Sequence, residues 1–307
     1  MKLAVASNIV LDSIQDKEGI VTESLGGPAC YCGLTARRFS FGVSLATRMG
    51  TDFSPTYKRL LHNEGIILTD YHLSHDRATT RFRLQSSREN NNIRRLFLAS
   101  KCAQITLDDI EKIETDCWLV SPVIDEVPEE VLRAIILHGG KRGFVMVDPQ
   151  GYTRIVNSSG EITPANKLSL DLTGVSAIKA DKTELTLLTG GLEGVPAMQY
   201  LQSRTGIEFV ISTEYRIIHF LYSGMHYWIS LKDIDSPDST GVGDILCSAF
   251  CCVYLKENDP LWAFSFGAGA VRAALETRKI GLDKIPSKSK IEQSAAYYYN
   301  TISFQRV

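Results

Sequence analysis

No stretch of this 307-residue chain approaches about 18 uninterrupted apolar residues, so no segment is expected to span a membrane as a helix. An excess of charge of either sign is missing as well. Lys and Arg number 33 against 35 Asp and Glu, a net charge of −2. That leaves no bulk field to hold a polyanion, which excludes general nucleic-acid binding and favours small substrates. There is no Pro/Ser-rich linker, internal repeat or low-complexity segment. Cysteine is present, but the count is odd: Cys30, Cys32, Cys102, Cys117, Cys247, Cys251 and Cys252. Cys247 with Cys251 and Cys30 with Cys32 lack further ligands at zinc spacing and read as small buried hydrophobes; His72 and His75 are equally unsupported as ligands. The opening MKLAVASNIVLD is broken by Ser7 and Asn8 and closed by Asp12, so it reads as a first strand and not a secretory signal. A reduced, cytoplasmic protein is expected.

An apolar share of 44% with 22% charged residues is globular and excludes a disordered tail, a collagen or a disulfide knot. Buried strands are expected at 2–9, 43–47, 117–120, 144–147, 175–178 and 209–212. Helices are expected at 29–39, 55–63, 128–137, 183–188 and 195–202, and three more at 243–254, 259–275 and 288–298. The βαβα order predicts an α/β fold, a doubly wound, mostly parallel sheet with helices on both faces.

From 66 to 100 the rhythm changes. Near-alternating runs at 79–85 and 93–98 flank a polar turn at 86–92, a hairpin signature. A small antiparallel β lid is therefore expected over about 12–25 and 66–100 of one 1–307 domain, with 20–24 adding a strand. Arg77, Arg81, Arg83, Arg88, Arg94 and Arg95 read as solubilising charge on its exposed edges. Loops at 157–167 and 233–238 are expected to be mobile.

The most informative residues are Asp238 to Asp244, DSTGVGD, ahead of an apolar helix. Two glycines flanking a small residue at a helix start turn free N–H groups toward one point, where the helix dipole also attracts anions. An isolated Asp there is ordinarily a cap or a first-turn charge. Here the Gly pair, the second Asp six residues upstream and the immediate helix occur together. Asp244 is placed to take a proton from a hydroxyl attacking a phosphoryl group, and as an exposed carboxylate near its ordinary value of about 3.9 it is ionised at neutral pH.

DSTGVGD resembles the DTxGAGD signature of the ribokinase (PfkB) family of sugar kinases, with Ser239 and Val242 as mild changes, and the resemblance extends over nearly the whole chain. It implies an ATP- and Mg²⁺-dependent kinase with Asp244 as base and Gly241, Val242 and Gly243 as the anion hole. Asp238 falls at the monovalent-cation loop, implying K⁺. Asn8 to Asp12 is similar to the strand exit whose Asp holds substrate hydroxyls, and Gly26-Gly27-Pro28-Ala29 to the motif that hinges the lid; residues 48–53 also look like the family. Residues 179–184 resemble the KxNxxE element, with Asp181 at the Asn position and Glu184 retained to position Mg²⁺ through water. Thr213 falls on the nucleotide side, where Tyr215 replaces a usual Gly. Tyr31 and Gly269 replace common Asn residues, Gly269 beside the base. DPQGYTR at 148–154 resembles a loop of archaeal-type sugar and inositol kinases, making Arg154 a candidate substrate contact. Gly267-Ala268-Gly269 also reads as a close helix contact.

The implied acceptor is a hydroxyl of a sugar or polyol, myo-inositol among them. A nucleoside kinase of the same fold and a binding member without turnover are the alternatives, and a homodimer through the lid is among the expectations. A nicotinamide oxidoreductase lacks its early Gly-rich turn, and 138–143 lacks the spacing of a P-loop.

Overall fold

The computed structural model describes residues 1–15, 21–86, 94–139, 143–232, 234, 236 and 238–307. Residues 87–92 of the expected turn with Arg88, residues 16–20 of the expected lid, residue 93, and parts of the 138–143 and 233–238 segments lie outside them.

The chain opens with β1 (Lys2–Ala6), β2 (Val10–Gln15) and β3 (Val21–Gly26), then helix α1 (Pro28–Arg38). Next come β4 (Gly42–Ala46), β5 (Met49–Gly50), α2 (Pro55–Asn63) and β6 (Leu73–Ser74). β7 (Thr80–Ser86) and β8 (Arg94–Ser100) lead to α3 (Leu107–Glu111), β9 (Cys117–Val120), α4 (Glu129–Gly139) and β10 (Phe144–Val147). β11 (Arg154–Val156) and β12 (Ile162–Pro164) precede β13 (Ala177–Asp181), α5 (Lys182–Leu188) and α6 (Gly194–Thr205). After β14 (Phe209–Glu214), β15 (Ile217–Tyr222) and β16 (Met225–Ser230) come α7 (Val242–Glu257), α8 (Pro260–Glu276), α9 (Lys288–Tyr299) and β17 (Ser303–Arg306).

Among the described residues the main sheet has nine strands in the order β17-β16-β15-β14-β13-β10-β9-β1-β4. From β4 to β14 every pairing is parallel. These strands are short apolar runs because both faces are covered. Successive side chains point to opposite faces. Leu3, Val5, Cys117 and Leu119 accordingly join one core with α1, α7, α8 and α9, through residues such as Cys247, Phe250, Phe264 and Ile291. Ala4, Ala6, Trp118 and Val120 join the other, with Val131 and Ile135 of α4, Leu185 of α5 and Met198 of α6. All seven cysteines are free and buried. Among the described residues, no helix is long and apolar enough to cross a membrane.

A second sheet has the order β3-β2-β7-β8. It is the small lid expected from the sequence, antiparallel in its outer pairs, with β2 and β7 running parallel between them. The reason lies at the start of β7. Asp52 Oδ1 accepts from Thr79 N and Thr79 Oγ1, both at 2.8 Å, so β7 sets out from the protein body beside β2. Val10 and Phe82 of this sheet pack on Val123 and Ile124.

The segment at 157–167 also differs from expectation. β12 pairs with β11, Leu98 N donates to Gly160 O at 2.9 Å, and Arg95 holds Glu161 through two bonds of 2.7 and 2.6 Å. It is fastened to the second sheet and does not hang as a mobile connection.

Candidate active site

Helix α7 begins at a left-handed residue, Gly241, with φ 79°. Only glycine fits there, because a Cβ would lie 2.4 Å from the ring of Tyr31. Val242, Gly243 and Asp244 form the first turn, whose N–H groups have no intrahelical acceptor. A Cβ on Gly243 would come within 3.2 Å of Lys179 Nζ. The start of this 16-residue helix is thus a cradle with an ammonium beside its amide groups and dipole.

Asp244 is only 6% exposed. Ser121 Oγ donates to its Oδ1 at 3.4 Å, Gln150 Nε2 donates to Ser121 Oγ at 3.3 Å, and Arg154 Nη2 donates to Gln150 Oε1 at 3.0 Å. Arg154 Nη1 is fixed on Val123 O at 2.9 Å. Burial, then the neighbouring Asp148, push the Asp244 carboxyl up to about 7, against Lys179, the Ser121 bond and Arg154. This corrects the expected exposed, unshifted carboxylate; packing of α7 on the sheet removes its water. Ser121, Asp148, Asp181 and Thr213 stand at or just past the carboxyl ends of β9, β10, β13 and β14, the edge where open α/β sheets hold ligands.

The second sheet brings Asp12 to the same neighbourhood. Burial, then Asp238, raise its carboxyl to about 7, while Lys284 and Arg154 oppose the shift. Arg154 therefore acts on both raised carboxyls. Opposite Asp12, a Cβ on Gly26 would stand 2.5 Å from Asp12 Oδ2. Gly27, at φ 80°, caps α1 ahead of Pro28; a Cβ there would meet Val10 at 2.8 Å. Asn8 is not brought to this cluster. It is fully buried, its Oδ1 accepts from Arg48 N at 2.8 Å, and its Nδ2 donates to Ala103 O at 2.9 Å. Both ends of the amide are engaged by backbone.

On the other side of the cradle, Lys179 Nζ donates to Asp148 Oδ2 at 3.0 Å and lies 3.9 Å from Glu184 Oε2. Burial opposes the charge on Lys179, yet Asp148 and Glu184 together push its ammonium well up. Glu184 is raised to about 7 by burial and Asp148, with Lys179 opposing. Asp181 caps α5: its Oδ1 accepts from Glu184 N and its N donates to Glu184 Oε2, both at 2.8 Å. Asp181 is in register with Thr213. Two buried carboxylates beside a phosphate cradle match a hard divalent cation that arrives with phosphates and keeps its water. Among the described residues no group of three or more His, Cys, Asp or Glu is arranged to hold a metal without such a ligand.

One expected nucleotide-side position, Gly269, lies inside α8. Gly269 is shut into the α8–α9 contact, where a Cβ would stand 2.7 Å from Ala295 N. Tyr215, where a glycine is usual, takes φ 52° and is 92% exposed.

Asp238 is tied down by a residue that sequence reasoning missed. Lys284 Nζ forms an ion pair with Asp238 Oδ2 and donates to Asp238 O at 3.1 Å and Thr240 O at 2.8 Å. It also lies 5.7 Å from the ring centre of Tyr31. These oxygens are the ligands an alkali ion would need, and an ammonium is already among them. K⁺ does not fit beside Asp238. Lys179, Asp148, Ser121 and Gln150 were also missed as partners of the site, although Asp148, Gln150 and Lys179 lie within quoted motifs. Two surface clefts, one along Leu132, Ile136 and Leu170 and one along Leu172, Tyr200 and Leu201, share no residue with this cluster.

No protein-family model and no curated protein matches the sequence. Solved structures do. A pyrophosphate-dependent kinase in the ribokinase family, complexed with a pyrophosphate analog and myo-inositol, aligns with TM-score 0.78 and 18% identity over 95% of this chain and 99% of that one. The chain has the ribokinase fold. Arabidopsis thaliana ribokinase complexed with ribose and ATP shares that fold at TM-score 0.72 and 15% identity, over 96% and 98% of the two chains. A fructokinase double mutant from Vibrio cholerae O395, bound to fructose, ADP and potassium ion, aligns at 0.75 and 16% over 96% and 98%. The ribokinase fold sets the cradle of α7 at the carboxyl edge of its parallel strands, with the second sheet beside it.

Proposed function

We propose that the chain is a kinase of the ribokinase family that transfers the γ-phosphate of ATP, with Mg²⁺, to a hydroxyl of a sugar or polyol such as myo-inositol. In this reading residues 1–307 act as one domain, and the second sheet is its lid. The observation that carries it is the position of Asp244: buried, raised to about 7, and one residue past the backbone N–H groups that open α7, beside Lys179.

Asp12 and Arg154 hold the acceptor hydroxyls. The Asp244 carboxylate takes the proton of the attacking hydroxyl as its oxygen forms the new O–P bond. The bond from phosphorus to the donor's bridging oxygen breaks, and its electron pair leaves with the remaining phosphates. Charge spread over the phosphoryl oxygens meets the N–H groups of Gly241 to Gly243 and the Lys179 ammonium. When bound, Mg²⁺ would be held through water by Asp148 and Glu184 and would neutralise phosphate charge. Closure of the lid excludes water and suppresses donor hydrolysis.

A second reading of the donor, inorganic pyrophosphate, is favoured by one feature: Gly269, expected beside the base, is enclosed by α9, whereas the Lys179 ammonium stands at the start of α7. The structural neighbour that uses pyrophosphate supports it. The test is a matrix of ATP and pyrophosphate against sugars, polyols including myo-inositol, and nucleosides, with Mg²⁺. A phosphorylated sugar or polyol is the expected product. A phosphorylated nucleoside alone overturns the acceptor class, and binding without any turnover overturns the kinase.

A further inference from the structure

Lys284 is among the most deeply buried side chains of the protein, with no exposure, and Asp238 is 3% exposed. Burying a lysine is costly unless its charge is met. Here a carboxylate and two backbone carbonyls meet it, all from the four residues before α7. Carbonyls plus one carboxylate around a single positive charge is the donor set of a dehydrated alkali ion. The ammonium supplies the same charge from within the chain.

Its effect reaches the cradle through covalent geometry. In a trans peptide the C=O and the following N–H point opposite ways. Lys284 draws Thr240 O toward itself, and that turns Gly241 N–H away, to the side where Val242 and Gly243 begin the helix. Asp238 Oδ1 fixes the preceding amide by accepting from Thr240 N at 2.8 Å. Asp238 Oδ2 also accepts from Gly281 N at 3.0 Å, which seats the 3-10 turn Gly281–Lys284 against this loop. A Cβ on Gly281 would lie 2.1 Å from Ser24 Oγ, so the turn also presses on β3, the strand opposite Asp12.

We propose that Lys284 is a positioning residue that replaces a bound alkali cation, so that the anion hole of this chain is set without K⁺ or Na⁺. The inference rests on the kinase reading for its activity test, but its binding test does not. In tetramethylammonium buffer the wild-type protein is expected to turn over within about twofold of its rate in K⁺ at equal ionic strength. Lys284→Ala is expected to lose about tenfold or more, equivalent to about 1.4 kcal/mol, in tetramethylammonium and to regain most of it with K⁺ or ammonium. Stimulation of the wild-type protein by about tenfold in K⁺ overturns the proposal, as does a folded Lys284→Ala that no cation restores. Crystals soaked in Tl⁺ give a readout that needs neither activity nor a stable variant. No anomalous peak beside Asp238 O and Thr240 O of the wild-type protein is expected, and a peak there overturns the proposal. Absence of turnover in both cations would count against the kinase reading alone, with the Tl⁺ result still deciding this one.

Discussion

Burial raises the carboxyls of both Asp244 and Asp12 to about 7, and the proposed reaction gives the two different tasks. In the proposed reaction Asp244 must be charged to accept a proton, so kcat is expected to fall about tenfold per pH unit below about 7 as it protonates. In the free enzyme Asp12 titrates in the same range, so kcat/KM falls more steeply, by up to two decades per unit. Rates measured from pH 5 to 9 in one buffer system check both slopes. Asp244→Asn is expected to lower kcat by about three orders of magnitude or more while donor binding stays measurable by calorimetry. The same substitution bears on stability. A folded value near 7, above the unfolded value of about 3.9, means that this carboxyl lowers the stability of the fold progressively as pH rises from about 4 to about 7, and by a constant amount above that. Asp244→Asn should therefore melt several degrees higher than the wild-type protein at pH 8, with the gain fading toward pH 5 and gone below about 4. At this scale the sequence was legible where chemistry is written contiguously, as in 238–244. Lys284 lies 46 residues beyond its partner and has no motif of its own, and Ser121 is one serine among many. Asn8 was grouped with Asp12 by proximity along the chain, yet its amide finds both partners on backbone, Arg48 N and Ala103 O.

The elements were legible in proportion to how plainly burial writes itself into residue type. Runs such as CWLV and FVMV announce parallel strands covered on both faces. The hairpin of β15 and β16 was passed over, although IIHFLY and MHYWIS are joined by Ser223-Gly224, a two-residue turn with φ of 52° and 71°. That turn is the signal that was available. Parallel pairing of β2 with β7 left no local trace, because it depends on where Asp52 pins Thr79. The same holds for β12, fastened by the Arg95–Glu161 pair, whose partners reach across the second sheet from distant parts of the chain. Exposed pairs add little to global stability, so Arg95→Ala should leave the urea midpoint nearly unchanged. It should nonetheless speed limited proteolysis between 154 and 164, because the local fastening opens. An unchanged cleavage rate would mean that strand pairing alone holds the segment.

For the molecule as a whole, stability centres on an aromatic cluster in the core on one face of the main sheet. Phe209 is fully buried and its ring lies 4.9 Å from Tyr254, 5.2 Å from Tyr222, 5.8 Å from Phe250 and 5.9 Å from Phe220. Phe209→Ala should cost about 3–5 kcal/mol in denaturant unfolding without moving the pH midpoint of kcat, since these rings support α7 far along its length from the first turn. Chain order gives the Asp238–Lys284 pair another consequence. During synthesis the acid leaves the ribosome well before its lysine, and an unmatched carboxylate resists entering the interior. The loop ahead of α7 therefore stays hydrated until the final segment emerges and docks. The start of α7 is expected to take its final shape late, and a nascent chain stalled short of residue 284 would carry Asp238 and Asp244 while the ammonium that orients Thr240 O is still missing.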